Sequence, residues 1–508
     1  MGEFLLGIDV GTYSSKGVLV DSEGNVRKTH VVQHEVSFPR PGWAEQDAEA
    51  IWWSDVVAIC RMLLDGAPYD GNDISAVALS AMGPCLLALD AHDRPVRPGI
   101  LYGIDTRSTA EIAWLNEHYG QDELFQLNGL ALTSQAVGPK ILWMRRNEPE
   151  LWTRTAWVTT ASGYLTFRMT GERVIDQRTA SHFAPLMDIL RLEWSDRFAA
   201  EIIELEKLPR LGWSSEIAGQ VTPQAAALTR IKAGTPVTVG SIDGLSEAIS
   251  VGVVQPGDLM IMYGSTTFFN LVLERPLADP RTWLTAGAFP GSYTIAAGMA
   301  TTGALTRWFL DHFAQNLDLE NGFGALFEEA SQIEAGADGL IVLPYFSGER
   351  SPIYDPHARG VIAGLSLAHT RAHLFRAVLE GVAYGVRHNL ETIRATGAPI
   401  QRVVAVGGGT QNSLWAQIIS DVAGISQELP VLTVGASYGD ALLAAFASGM
   451  LGKDRLGQWV KTGRMITPDQ KHQQRYGSLY ADYLALYTQT KGIVHHLSQE
   501  KIDAESEG

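Results

Sequence analysis

Phe4-Leu-Leu-Gly-Ile-Asp9-Val10-Gly11-Thr12-Tyr13-Ser14-Ser15-Lys16-Gly-Val-Leu-Val-Asp21 reads as an apolar strand, a turn of glycine and hydroxyl residues, and a second apolar strand. Residues 259–273 repeat that layout with different letters: Leu-Met-Ile-Met-Tyr, then Gly264-Ser265-Thr266-Thr267, then Phe-Phe-Asn-Leu-Val-Leu. Two half-chains built alike are expected, with a boundary close to residue 250. Val237-Thr-Val-Gly240-Ser-Ile-Asp243-Gly244 reads as a buried strand ending in a glycine turn, with a helix from near Leu245. Arg402–Val406 is a short apolar strand, Gly407-Gly408-Gly409 follows it, and Asn412–Ala423 has helical periodicity. Strands alternating with helices in both halves predict an α/β fold with helices covering mixed sheets. Tyr476, Tyr480, Tyr483 and Tyr487 recur at helical spacing, which predicts a terminal helix docked on the body, and the last ten or so polar residues are expected to fray.

At 508 residues the chain is too long for one small module. Hydrophobic residues make up 46% and charged residues 19%, enough to bury large cores without the polar bias of a disordered chain. Thirty-nine Lys and Arg against 56 Asp and Glu give a net charge of −17, which disfavours general binding to nucleic acid or anionic membranes. A local phosphate site survives that charge, because backbone N–H groups bind anions unaided. Cys60 and Cys85 are too few for a disulfide framework or a cysteine-based zinc site and are expected to be small buried hydrophobes of a reducing, cytoplasmic protein. Met-Gly-Glu-Phe-Leu-Leu has neither a basic leader nor a myristoylation pattern, so neither export nor anchoring is expected.

Two readings stay open at each candidate site. The stretch from Asp9 to Thr12 is either an ordinary hairpin turn or a clamp whose backbone donors and Thr12 hydroxyl face phosphate while Asp9 holds Mg²⁺ through water. Gly264-Ser265-Thr266-Thr267 has no acid at the place of Asp9, which suits a second clamp if one metal-holding carboxylate suffices. Asp243 ends an apolar strand, where ligands gather in open α/β sheets, and it is also a natural helix N-cap.

These residues resemble the FGGY carbohydrate kinases, over roughly residues 4–450. Gly360-Val-Ile-Ala-Gly364-Leu365, seven residues, and His373-Leu-Phe-Arg-Ala377-Val-Leu-Glu380 fit that family's C-terminal signature. Lys140-Ile-Leu-Trp143-Met-Arg-Arg-Asn147 fits the second half of its N-terminal signature, with Val137 where a Ser or Thr type is usual. Pro41-Gly42-Trp43-Ala-Glu45-Gln46-Asp47, Trp52-Trp53 and Pro344-Tyr-Phe-Ser-Gly348-Glu349-Arg350-Ser-Pro352 are similar to xylulokinase segments, and gluconate kinases carry a version of the last. Where xylulokinases have Gln-Met-His-Gly along the sugar pocket, this chain has Ala81-Met82-Gly83-Pro84. Asp105 and Arg107 lie where relatives have Trp-Asn-Asp-x-Arg, which makes them either sugar contacts or a surface ion pair. Gly381 and Gly385 are expected to pack a helix closely on a sheet, away from ligand.

The resemblance implies two ribonuclease-H-like domains of actin and hexokinase type flanking a catalytic cleft. Residues 1–250 would form an N-terminal domain with the sugar site and first phosphate clamp, and residues 251–508 a nucleotide-binding C-terminal domain with the terminal helix. It implies transfer of the ATP γ-phosphate to a hydroxyl of a small ketose, most simply D-xylulose giving D-xylulose 5-phosphate, with gluconate, ribulose, glycerol or another polyol as alternatives. Asp243 would be the catalytic base and Asp9 the Mg²⁺ holder. Gly11, Thr12, Lys16, Gly264, Thr266, Gly303, Gly408, Gly409 and Asn412 would face the nucleotide, and Met82, Gly83, Asp105, Arg107 and Asp243 the sugar. The partners implied are a small-molecule sugar, with neither nucleic acid nor membrane; a homodimer is left open. The reading from another class is an actin- or chaperone-like binding protein switched by nucleotide, which would need no hydroxyl-orienting base.

Overall fold

The computed structural model describes residues 3–66, 68–317, 322–431 and 433–507. Phe4–Val10 and Ser14–Asp21 pair antiparallel across the first turn, and Val26–Gln33 adds beyond them. On the other side Phe4–Val10 runs parallel to Ile74–Ala81, followed by Pro236–Thr238 and Ile217–Gln220, with Ser241–Ile242 also parallel to Ile74–Ala81. The expected mixed sheet is therefore present, and residue alternation gives each of its faces a core. Leu6, Ile8 and Val10 point to a core with Trp52, Ile59 and Leu63. Leu5, Val18, Val20, Ala76 and Ala78 point to the opposite core, with Leu245, Tyr438, Ala441 and Leu442. The edge strand Val26–Gln33 buries only one side of its backbone and alternates half-buried with exposed residues.

Contacts divide the chain into two compact units: Met1–Gln255, Val272–Thr294 and Leu432–Lys461 in the first, Pro256–Leu271, Ile295–Val431 and Thr462–Gly508 in the second. The first division along the sequence falls at Gln255/Pro256. Unlike the contiguous halves expected, late segments return to the first unit. The physical reason is the helix Ala436–Ala447, whose apolar side chains complete the second core of the first sheet.

In the second unit Asp258–Tyr263 and Thr267–Leu273 form the expected hairpin. Tyr293–Met299 continues the sheet beyond Thr267–Leu273, while Arg402–Val406, Gln427–Pro430 and Thr462–Ile466 extend it on the other side. The helix Arg371–Ala395 packs on this unit, and a Cβ added at Gly381 would lie 2.4 Å from the Val342 carbonyl oxygen, as close packing requires. At Gly385 it would lie 2.4 Å from Met299 Cε. The helix Gln470–Glu507 docks through buried Tyr476, Tyr480 and Tyr483, with the Tyr483 hydroxyl 2.7 Å from that of Tyr345 and Tyr487 donating to Asp355. It does not stop before the polar tail, because Gln499, Glu500, Lys501, Ala504 and Glu505 all have high helix propensity. Among the described residues no helix is long and apolar enough to cross a membrane.

Candidate active site

Three parallel strand ends set out the first unit's polar cluster. Register places Asp9 beside Ser80, and Ser80 beside Ser241, so that Asp243 follows directly after the third strand. This is the carboxyl edge of a sheet, the customary ligand side of open α/β folds. Asp243 is the first residue of the helix Asp243–Ser250, and among the described residues its Oδ1 accepts only the N–H of its own neighbour Gly244, at 2.7 Å. The N-cap is Ile242. The capping reading of Asp243 is thereby excluded, since a capping carboxylate accepts from the second or third helical N–H.

Burial, then repulsion from Asp9, pushes the Asp243 carboxyl up to about 7. Burial also raises Asp9 to about 6, against the hydrogen bond from Ser80 and the charge of Lys16. Glu247, one helical turn beyond Asp243, is raised to about 7 by burial and by Asp9. These acids hold charge reluctantly, as expected where a cation or a proton acceptor's role offsets mutual repulsion. The Arg178 guanidinium is buried, donates to the Thr285 and Thr294 hydroxyls, and acts through its charge on Asp243.

The turn after Asp9 is pinned from outside. Gly11 N–H donates to the Ser14 carbonyl at 3.0 Å, and a Cβ on Gly11 would lie 2.8 Å from that oxygen, so glycine is required. Gln46 Nε2 donates to the Thr12 carbonyl at 2.8 Å, and buried Trp52 in turn donates to Gln46 Oε1. His34 sits 3.1 Å from the Gly11 carbonyl and 2.7 Å from Asp55. Thr12 Oγ1 lies 3.0 Å from the Tyr102 hydroxyl. Lys16, opposite Asp9 in the hairpin, donates from its ammonium to the Val434 carbonyl. The Gln46 and Trp52 contacts give part of the tryptophan-rich stretch around residues 41–53 a physical role in holding the turn.

Met82 is buried, with its N–H on the Val10 carbonyl, while Gly83 is half-buried. A Cβ at Gly83 would meet Ile242 at an ordinary 3.4 Å, so the backbone there does not itself demand glycine.

Asp105 and Arg107 are a different matter. Neither side chain has exposed area, so the surface ion pair is ruled out. Asp105 accepts from Arg107 and from the Ala44 N–H, Arg107 also lies 2.8 Å from Glu45, and its guanidinium stacks 4.0 Å from the Trp43 ring centre and 5.0 Å from that of Trp143. Arg107 Nε and Nη2 are turned on Asp105, whereas the buried Nη1 has no hydrogen-bond partner among the described residues, and the side chain of this loop that reaches Thr12 is Tyr102. Lys140 is fully buried and donates to the carbonyls of Tyr102 and Ser134; burial lowers it to about 8.

The second unit presents backbone rather than acid. Gly264 N–H donates to the Thr266 carbonyl across the hairpin turn, leaving Ser265 exposed and Thr266 half-buried. Gly303 opens the helix Gly303–Phe313 with its N–H on the Gly264 carbonyl, and a Cβ there would meet that oxygen at 2.7 Å. Gly408 has open space at its Cβ position; Gly409 packs on Tyr263. Asn412 is the N-cap of Ser413–Ala423, its Oδ1 accepting from Leu414 and Trp415. Glu349, within the second xylulokinase-like stretch, accepts from the Ala300 and Arg350 N–H groups and so holds the segment before Gly303. The C-terminal signature has a structural role at Glu380, which is buried and bonded by Arg376, Tyr476 and the Gly336 N–H. Cys60 and Cys85 are fully buried, as expected, with thiols pushed up to about 12 by burial.

Sequence reasoning missed Ser80, Tyr102, Gln46, His34, Glu247 and Asp440. Glu247 had a signal, four residues after Asp243 on one helix face. Asp440 had one too, as an acid inside the apolar run Ala436–Ala447. Ser80 had none, because its neighbours Asp9 and Asp440 are 71 and 360 residues away along the chain.

Residues 4–250 match the FGGY family of carbohydrate kinases, N-terminal domain, and residues 259–448 match the C-terminal domain of the same family. A xylulose kinase of Escherichia coli (strain K12) is 31% identical over 87% of this chain and 90% of its own length. A gluconokinase of Bacillus subtilis (strain 168) is 26% identical over 98% of this chain and 100% of its own length. Among solved structures, that of a xylulose kinase from Rhodospirillum rubrum superposes with a TM-score of 0.92 at 32% identity, over 97% of this chain and 100% of that one.

Proposed function

The chain belongs to the FGGY family of carbohydrate kinases, and from that membership we propose that it phosphorylates a small ketose, D-xylulose, on a hydroxyl held by the first unit. Kinase membership makes ATP the phosphoryl donor. The observation that carries the reading is Asp243, a buried carboxyl at a strand tip that caps no helix and feels the charge of Asp9. In phosphoryl transfer the transition state is loose, so the protein works mainly by positioning and by placing charge. Asp243 orients the attacking hydroxyl and accepts its proton as the new O–P bond forms. Gly11 lets the turn come close to phosphate, and the Thr12 hydroxyl faces the phosphate oxygens, with Lys16 beside them. Gly264, Thr266, Gly303, Gly408, Gly409 and Asn412 are assigned to the nucleotide in the second unit.

Mg²⁺ ordinarily keeps several waters and takes one or two carboxylates besides substrate phosphates. Asp9 fits that habit: Ser80 donates to Oδ1, and Oδ2 lies on the Gly11 side without a hydrogen bond among the described residues. When bound, the ion neutralises charge on the phosphate oxygens. Asp105 and Arg107 act by fixing the loop that carries Tyr102, and Met82 and Gly83 shape the sugar's surroundings.

D-xylulose is favoured by the relatives bearing the name xylulose kinase. Gly83 offers no side-chain donor, and an unpartnered buried sugar hydroxyl costs about 1–3 kcal/mol. The test is a coupled ADP-release assay across D-xylulose, ribulose, gluconate, glycerol and other polyols. D-xylulose is expected to be turned over. Another member exceeding it more than about tenfold in kcat/KM, about 1.4 kcal/mol, would replace the substrate and leave the kinase in place.

A further inference from the structure

Asp440 is fully buried on the helix Ala436–Ala447, and the mechanism above makes no use of it. Its Oδ2 lies 2.7 Å from Ser80 Oγ, and its Oδ1 2.6 Å from Ser246 Oγ. The same Ser80 Oγ lies 2.9 Å from Asp9 Oδ1. The helix approaches closely enough for this because of two glycines. A Cβ on Gly7 would lie 2.0 Å from the Ser437 carbonyl oxygen, and one on Gly439 would lie 1.8 Å from that of Ser246.

Counting protons fixes the arrangement. A serine hydroxyl has one proton to give and accepts through its lone pairs. With both Asp9 and Asp440 ionised, one of the two short contacts at Ser80 would be oxygen against oxygen with no hydrogen between them. One acid therefore holds a proton. Asp9 is half-buried and faces Lys16 across the hairpin, whereas Asp440 is fully buried and among the described residues no Lys or Arg pairs with it. An unpaired ionised carboxyl with no exposure is far costlier than a neutral one, so the proton sits on Asp440. Burial, then the charge of Asp9, raises the Asp440 carboxyl well above its ordinary range, in agreement with that placement.

We propose that Asp440 is a positioning residue: its neutral carboxyl donates to Ser80, which turns the single Ser80 proton onto Asp9 and fixes the direction in which Asp9 presents its free oxygen. Through Ser246 the same carboxyl is tied to the helix that begins with Asp243, so both functional acids are registered to one buried group. The proposal rests on the assignment of Asp9 to the metal.

The test measures Mg²⁺·ADP binding by calorimetry and the free-Mg²⁺ dependence of turnover in Asp440→Ala, Asp440→Asn, Ser80→Ala and Asp9→Asn. Loss of an outer partner of a metal-holding group typically weakens metal affinity by about 10- to 100-fold. Asp440→Ala and Ser80→Ala are each expected to weaken Mg²⁺·ADP binding by about tenfold or more, and the double variant to lose no more than Ser80→Ala alone. Asp440→Asn, whose amide donates to Ser80 and whose carbonyl accepts from Ser246, should recover most of the loss. Should Asp440→Ala not fold, Ser80→Ala decides, because it leaves the helix untouched. The proposal is overturned if Asp440→Asn loses as much as Asp440→Ala, or if Ser80→Ala binds Mg²⁺·ADP as wild type while Asp9→Asn does not. An Asp9→Asn protein with unaltered Mg²⁺ dependence overturns the metal assignment, and the proposal with it.

Discussion

The role proposed for Asp243, a base at a sugar hydroxyl, requires it to be ionised, and its burial and the charge of Asp9 make it hard to ionise. Below its midpoint the carboxyl is protonated and cannot accept. kcat/KM should therefore fall as pH drops through about 7, with a limit approaching tenfold per unit, and the limb belongs to the Asp243–Asp9 pair rather than to either alone. A pH profile of kcat/KM measured at subsaturating sugar checks this; a limb in the ordinary carboxylate range near 4 would remove burial and repulsion from the account. Asp9→Asn is expected to act on the metal, with activity partly restored by raised Mg²⁺. A variant whose activity ignores Mg²⁺ concentration would take that role away from Asp9.

At the scale of elements, the loop 101–107 depends on a buried charge pair whose guanidinium lies against the indoles of Trp43 and Trp143. Removing one partner of such a pair leaves the other charged and unpaired, at a cost of about 3–5 kcal/mol. Arg107→Ala should therefore lower the denaturation midpoint strongly, and Arg107→Lys should recover little, because an ammonium neither forks onto Asp105 nor stacks as a plane. Chemical denaturation of the three proteins reads this out, and a midpoint within error of wild type for Arg107→Ala would contradict it. The same elements mark what the sequence could say. The hairpins at residues 4–21 and 259–273, the glycine turn after Val406 and the tyrosine stripe were legible because hydrophobic period and turn chemistry are local. The identity of the family was legible through Gly360–Glu380, where Glu380 turns out to be a buried acid bonded by Arg376, Tyr476 and the Gly336 N–H. Which of the two readings of Asp105 and Arg107 applied was not legible, since burial of a charge pair depends on Trp43 and Trp143, which lie on other segments. The Ser80–Asp440 contact and the return of residues 432–461 to the first unit were illegible for the same reason: both depend on long-range packing.

For the whole molecule, the account divides labour between an acid-bearing first unit and a second unit that offers mostly backbone. A sugar kinase so organised should consume ATP slowly without sugar and rapidly with it, whereas a nucleotide-switched binding protein should hydrolyse ATP at a rate indifferent to sugar. The most direct measurement is ADP release with and without the best sugar of the panel, for wild type and for Asp243→Asn side by side, together with MgATP affinity of both. The account predicts sugar-dependent release in wild type, a fall in kcat of about 10²- to 10⁴-fold in Asp243→Asn, and unchanged MgATP binding. Equal turnover by the two proteins, or release that does not depend on sugar, would contradict it.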